Sequence, residues 1–392
     1  MAEARIIEPD MEFINEIDRL GGDTLKKCYQ CATCSVVCNL SPEDKPFPRK
    51  EMIMAQWGQI DQLAKDPDIW LCYQCNDCSV NCPRGAKPGD VLSAIRSYIY
   101  KAYAIPSFMG KALANPKALP ILLLAPVLIL LGLMFGFAPR ANGKFVFLTA
   151  NPIDYNLFLP HSAVDVLFVF GMILVVIFAI ISLSRFWKNL HADGADKSLS
   201  FIQACKLTLV EIIMHGNFFK CDTNKSRSWG HVLLLIGFAG SFIATALVFV
   251  LHFIPHYLEL LGITIVQPFF PIPREWPHIV KISGLIGGIA ILIGGIMLLY
   301  RHWTNKENVG ANSYTDSLFL YIVFFVGLTG MLSWLTRLAN IPMLACANYF
   351  LHLVAVFFLL IYMPYSKFAH MFYRTLALIY CRSIGREARS KM

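Results

Sequence analysis

Charged and apolar residues mix in ordinary density up to about residue 105, and from Leu119 onward the chain becomes a series of long apolar runs. A helix that crosses a bilayer needs about 20 predominantly apolar residues. Six segments meet that length: Leu119–Ala138, Ala163–Leu183, Trp229–Phe253, Ile279–Tyr300, Ser317–Leu335 and Tyr349–His370. The first contains Pro120 and Pro126, and histidines interrupt the third and sixth. The fourth is rich in glycine (Gly284, Gly287, Gly288, Gly294, Gly295), which lets helices approach closely in lipid. Ahead of these runs, Met52–Leu63 has helical spacing of Met52, Ile53, Ala55, Ile60 and Leu63, and Pro88–Tyr100 reads as a second short helix. Strand signals are nearly absent. The pattern predicts an all-α chain with a helical soluble domain over residues 1–105 and a six-helix transmembrane bundle over 106–392. Between the second and third runs, Leu199–Phe219 is amphipathic and is expected to lie along the membrane face or to dock a partner.

Composition and charge sharpen this division. A hydrophobic content of 56% lies above that of ordinary soluble chains. With the N-terminus placed in the cytoplasm, the inner segments 185–228, 301–314 and 371–392 carry fourteen Lys and Arg. The outer segments 139–161, 254–277 and 337–348 carry four, namely Arg140, Lys144, Arg274 and Arg337. Positive residues stay on the cytoplasmic side of a membrane protein. Both termini are therefore expected in the cytoplasm, with the chain in the cytoplasmic membrane. The net charge of +8 is mostly this bias, and no nucleic-acid-binding motif accompanies it.

The chemistry is concentrated in two cysteine runs, Cys28-x2-Cys31-x2-Cys34-x3-Cys38 and Cys72-x2-Cys75-x2-Cys78-x3-Cys82, the second followed by Pro83. This is the ligand spacing of two-cluster [4Fe–4S] ferredoxins, in which the fourth cysteine of each run ligates the other cluster. The assignment is Cys28, Cys31, Cys34 and Cys82 to one cluster, and Cys72, Cys75, Cys78 and Cys38 to the other. Zinc sites pair CxxC units differently, and a disulfide framework does not suit a segment next to cytoplasmic membrane flanks. A helix between the runs separates this chain from the small β-rich ferredoxins. Cys205, Cys221, Cys346 and Cys381 are isolated, and His215 and Cys221 complete no ligand set.

None of the ten histidines lies in the cysteine region. Polar groups inside a membrane are costly and usually functional. His352 and His370 are 18 residues apart, five helical turns, and His231 and His252 are 21 apart, close to six. Facing helices with histidines at matched depths suit two bis-histidine b haems. The expected pairs are His231 with His370 near the cytoplasm and His252 with His352 near the outside, with His278 an alternative to His252. Covalent c-type haem is excluded by the lack of CxxCH. Lys281, one turn into the fourth run, either snorkels or, with His278, hydrogen-bonds a quinone carbonyl. Asp165 is a further candidate for that quinone site, as partner or proton acceptor.

With these residues in hand, the chain resembles known families. Its duplicated CxxCxxCxxxC segment looks like the C subunit of heterodisulfide reductase. The remainder resembles the cytochrome b subunits of heterodisulfide reductase and the gamma subunit of respiratory nitrate reductase, on His352 and His370 and on Trp229-Gly230-His231. In that family the second histidine of the earlier helix falls where this chain has Ser241. The fusion of both parts resembles the membrane subunit of the quinone-interacting membrane-bound oxidoreductases of sulfate-reducing bacteria. The resemblance implies a cytochrome b-type bundle, two [4Fe–4S] clusters, two haem b and menaquinone. It also implies two soluble flavin- and cluster-bearing partner subunits, with adenylylsulfate reductase as eventual acceptor. A related heterodisulfide reductase-like or sulfite-reduction-linked membrane complex, and a non-redox membrane anchor, are the other readings.

Overall fold

A computed structural model of the chain describes residues 8–220, 225–260, 262, 278–304 and 313–386. In the N-terminal part, α1 (Met11–Ile17) is capped by Asp10, whose side chain accepts from the Phe13 N–H at 2.9 Å. Short helices follow, among them α2 (Thr33–Val36), α3 (Arg49–Gln56), α4 (Asp68–Leu71) and α5 (Asp77–Val80). The longer α6 (Pro88–Tyr103) starts on a proline, which suits a position whose N–H has no helical partner. Phe13, Ile17, Met52, Leu63, Trp70, Leu92 and Ile95 are fully buried around it. The helix expected across Met52–Leu63 is broken. α3 stops at Gln56 and a separate one-turn helix spans Ile60–Leu63. Gly58 between them has φ +65°, and a Cβ there would stand 2.5 Å from the Asp10 nitrogen, so the break is a close approach that only glycine permits.

In the second part the long helices are α7 (Leu119–Phe137) and α8 (His161–Leu190), then, after the amphipathic α9 (Phe201–Met214), α10 (Lys225–Val248), α11 (Ile279–Thr304), α12 (Tyr314–Leu338) and α13 (Pro342–Ile361). Among the described residues, six helices are long and apolar enough to cross a membrane. Their outer faces expose residues such as Ile121, Val166, Phe170, Phe242, Ile286 and Ile296, which suits lipid rather than water. Among the described residues, strands are confined to a hairpin of Arg140–Ala141 with Lys144–Phe145. α10 and α11 meet along glycines: a Cβ on Gly237 would lie 2.5 Å from Ile291 Cγ1, and one on Gly287 would lie 2.7 Å from the Ser241 nitrogen. α11 then packs on α12, α12 on α13, and α13 on α7 and α8.

The sixth span differs from the expected Tyr349–His370. It covers Pro342–Ile361 and is followed by a turn at Met363–Tyr365 and a separate helix α14 (Ala369–Ser383). Pro364 has no N–H for a helix and its ring crowds the preceding turn, so the helix ends there. His352 and His370 therefore stand on different helices, and their 18-residue spacing does not stack them. The third span is also interrupted: α10 ends at Val248 and gives way to a π-helical turn at Phe249–Phe253.

The two parts share a core. Phe186 and Leu190 at the end of α8, and Tyr373, Ala377 and Tyr380 of α14, are buried in one cluster with Trp70, Leu92 and Ile95. α9 packs on α14 beside it. Its capping box at Ser200 and Gln203 starts the helix, and Phe201, Ile202, Leu209, Ile213 and Met214 remain exposed.

Candidate redox centres and the histidine cluster

The two cysteine runs adopt the same local fold. Gln30 and Ala32 in the first, and Gln74 and Asn76 in the second, all have positive φ. Non-glycine residues held there cost on the order of 1–3 kcal/mol each, a cost the surroundings must offset. The repeated turn bends each run around a common point. Burial pushes the Cys34 thiol up to about 11, with further contributions from Cys28, Cys31 and Cys82. Burial likewise pushes Cys38 up to about 12, with Cys72 and Cys75 adding to it. Burial raises Cys78 too, reinforced by Cys72, Cys75 and Cys38. Cys82 adds to the upward shifts of Cys28 and Cys34, and Cys38 and Cys34 to that of Cys78, so each run acts electrostatically on the other. Each group is four soft sulfur donors in a partly buried pocket, a donor set that fits an iron–sulfur cluster.

Backbone carbonyls around each run are held by side chains from elsewhere. Gln56 Nε2 donates to the carbonyls of Leu25 and Cys28 at 3.0 Å each. In the second run Arg96 Nη1 donates to Ile69 at 2.6 Å and to Cys72 at 3.3 Å. Arg374 Nη1 also donates to Cys72 O at 2.8 Å, and Arg227 Nη1 to Gln74 O at 2.6 Å. Arg374 lies over the Tyr73 ring at 3.9 Å, and the Tyr73 hydroxyl donates to Glu211 Oε1 of α9 at 2.9 Å. The second run is therefore tied to α9, α10 and α14, whereas Cys31 of the first is exposed.

Against the second run lies a group of histidines. Trp70, two residues before Cys72, stacks on His370 with centroids 5.6 Å apart and planes 26° apart. His370 is held well below the usual histidine value by its packing, and further by Arg96, Arg374, Lys367 and His231. His231, at the start of the α10 span, has its Nδ1 3.2 Å from Nε2 of His215. His231 and His370, expected as a pair, come to the same corner, and His215 joins them.

His352 is placed at mid-span of α13 rather than near an end. Its Nδ1 is 3.1 Å from the Val326 carbonyl, which can only accept, so Nδ1 carries the proton and Nε2 keeps a lone pair. A metal-ligating histidine is oriented in this way, by a carbonyl on its other nitrogen. A Cβ on Gly330 would sit 2.9 Å from the His352 ring. The contacts Gly288–Met331 and Gly287–Ser241 carry that level to Ser241 on α10. His252 comes eleven residues later, about 16 Å along the helix, and does not stand level with His352. Its side chain, like most of the outer segment Ile254–Pro277, lies outside the described residues.

His278 is buried at the start of α11, and the Val280 N–H donates to its Nδ1 at 3.3 Å. Its neutral form then carries the proton on Nε2, which suits donation to a carbonyl rather than metal ligation. Lys281 stands one turn further along. Asp165 comes from another helix. It is on α8, which packs on α13 and α7, while α11 packs on α10 and α12.

Sequence reasoning missed Trp70 and Arg96, left His215 without a ligand set, and took Arg227 and Arg374 only as topological charges. Nothing in their spacing points to the cysteine loops, since each arrives from a separate helix or from the α9 terminus. Only the local repeat of the runs could have prompted a search for what holds them.

A family model for citrate utilization protein B matches residues 112–391, and one for a 4Fe-4S dicluster domain matches residues 24–86. Citrate utilization protein B of Escherichia coli is 23% identical over 305 residues, 74% of this chain and 73% of that protein. The C subunit of the H(2):CoB-CoM heterodisulfide,ferredoxin reductase of Methanothermobacter marburgensis is 37% identical over 94 residues, 24% of this chain and 50% of that protein. A protein of Archaeoglobus profundus that is like the C subunit of heterodisulfide reductase is 34% identical over 116 residues, 29% of this chain and 62% of that protein. The chain spans about half the length of the first heterodisulfide reductase relatives it matches. No solved structure matches it.

Proposed function

Because the chain belongs to the citrate utilization protein B family and carries a 4Fe-4S dicluster domain ahead of the matched region, we propose that it moves electrons between a membrane quinone and soluble redox partners. It is an iron–sulfur electron-transfer protein similar to the C subunit of heterodisulfide reductase, with six described helices long and apolar enough to cross a membrane. Cys28, Cys31, Cys34 and Cys82 would hold one [4Fe–4S] cluster, and Cys72, Cys75, Cys78 and Cys38 the other. His231 and His370 would hold a b haem at the corner nearest the second cysteine run, and His352 Nε2 would serve another deeper in the bundle. When bound, these groups supply one-electron relay sites. His278, donating from Nε2, and Lys281 would bind a quinone carbonyl at the opposite end, menaquinone being the quinone that the resemblance implies.

The observation that carries this reading is the contact of Trp70 with His370, two residues from Cys72, with Arg374 joining the same loop to α14. A cluster ligand loop and a ligand-competent histidine share one buried wall. Both termini on the cytoplasmic side accord with the lysine and arginine asymmetry. The exposed edge of the first run, at Tyr29, Val36 and Trp57, then faces the soluble partners. Two flavin- and cluster-bearing proteins, with adenylylsulfate reductase downstream, are the partners the family resemblance favours, and co-purification tests them.

The test is an iron, acid-labile sulfide and haem assay on the purified full chain, with spectra after adding a menaquinol analogue. About eight cluster irons and two b haems, reduced by the quinol, are expected. His370→Ala should remove one haem and abolish cluster reduction by quinol. Clusters reduced at the wild-type rate in that variant would overturn the path, and protein without haem would leave an iron–sulfur domain on a membrane anchor.

A further inference from the structure

The two cysteine runs repeat with an offset of 44 residues, Cys28 corresponding to Cys72 and Leu25 to Ile69. Gln56 and Arg96 hold corresponding carbonyls: Gln56 takes Leu25 and Cys28, Arg96 takes Ile69 and Cys72. They come from different helices, α3 and α6, yet do the same job. One is neutral and the other is a cation. Arg96 is 4% exposed, and Arg374 and Arg227 add two more guanidiniums to the same loop. The first run has Arg49 and Arg84 as cationic neighbours, and both side chains are exposed. Asp77 and Asp90 are buried in the second half, with Gln74 Nε2 donating to Asp90 at 3.5 Å, and Glu211 accepts from Tyr73 at its edge; the cation that reaches the Cys72 loop from inside the second half is Arg96.

We propose that Arg96, seconded by Arg227 and Arg374, sets the centre held by Cys72, Cys75, Cys78 and Cys38 at a higher reduction potential than the centre held by Cys28, Cys31, Cys34 and Cys82. Taking up one electron adds one negative charge to a centre, and a buried guanidinium beside it stabilises the charged product far more than an amide does. N–H···S bonds also raise cluster potentials. The Gln74 N–H donates to Cys72 Sγ at 3.2 Å and the Gln30 N–H bonds Cys28 in the same way, so N–H···S bonds are common to both runs and the guanidiniums carry the difference. The electron therefore rests on the centre facing the membrane part and reaches the exposed centre uphill, when an acceptor is docked there. Arg96 acts as a positioning and tuning residue and touches no substrate.

The inference rests on reading both runs as [4Fe–4S] ligands, and the test separates the two. The full chain is titrated with dithionite and followed by electron paramagnetic resonance. The couple lost in Cys78→Ala identifies the second centre. In Arg96→Gln, with iron content unchanged, the reduced-to-oxidised ratio of the second centre at a fixed potential should fall about tenfold, about 59 mV for a one-electron couple. The first couple should not move, and Arg96→Lys should restore most of the shift. Coincident couples in the wild type, equal shifts of both, no shift, loss of iron from Arg96→Gln, or a lysine variant as low as the glutamine one would each overturn the proposal. A wild-type chain without two cluster signals would instead count against the functional reading itself.

Discussion

The two cysteine runs are nearly superposable in design and opposite in surroundings. Tyr29 and Tyr73 correspond, and each lies under an arginine, Arg84 at 4.0 Å and Arg374 at 3.9 Å. Yet Tyr29 is 68% exposed, while Tyr73 is tethered to Glu211. Lys26, exposed to solvent, stands where the second run has the fully buried Trp70. Thr24 stands where the second run has Asp68, which is ion-paired to Arg386 beyond α14. The same ligand loop has thus been turned outward once and inward once. A duplicated metal loop sets what can be bound, and the side chains around it decide which centre meets the membrane part and which meets a partner.

The largest effect should come from breaking the exchange of fourth ligands. Cys38→Ser should remove the signal of the second centre, and Cys82→Ser that of the first, each lowering iron to about half. If each substitution instead abolishes the centre of its own run, the exchange does not occur. Next comes the tether that exists at the second run alone. Asp68→Asn leaves Arg386 with the exposed Asp44 at 3.7 Å in place of a buried pair, a loss of up to about 3–5 kcal/mol. Protease cleavage after α14 should accelerate strongly, with Cys31 reactivity at the first run unchanged; equal loosening of both runs would erase the asymmetry.

A smaller and pH-dependent effect concerns the acidic group between the runs. Glu51, Asp66 and Asp68 are buried around Lys50, whose ammonium lies 3.3, 2.8 and 2.9 Å from them. Burial, then Asp66, holds the Glu51 carboxyl well above the usual range against the pull of Lys50. The native state therefore keeps a proton that the unfolded chain releases near pH ~4.3, and stability falls as pH rises from there toward the folded value. The slope is at most about 1.4 kcal/mol per pH unit. Glu51→Gln should flatten the fall in thermal stability between about pH 5 and 8, measured in detergent. An unchanged slope would mean that Lys50 keeps Glu51 ionised.

Reading the chain from its residues alone worked where the signal is local. Cysteine spacing identifies a dicluster ferredoxin because a cubane needs its ligands at short, fixed intervals, and apolar length identifies a spanning helix because the bilayer has a set thickness. It failed at the sixth span, where counting turns through Pro364 put His352 and His370 on one face. The signal was present in Pro364 itself and in Pro342, a suitable first helical residue, but the apolar run was allowed to outweigh both.

Two four-cysteine runs, a polar helical beginning and six apolar spans were all legible in the order of the residues, since each depends on neighbours along the chain. Which helices meet, and which side chains converge, followed from the folded arrangement alone. That arrangement joined His215 to His231 and set Gln56 and Arg96 over corresponding carbonyls. Those relations are long-range packing, in which a guanidinium 24 residues from Cys72 and another 302 residues away reach the same oxygen. No periodicity encodes such a meeting, because it follows from burying several helices around one core at once.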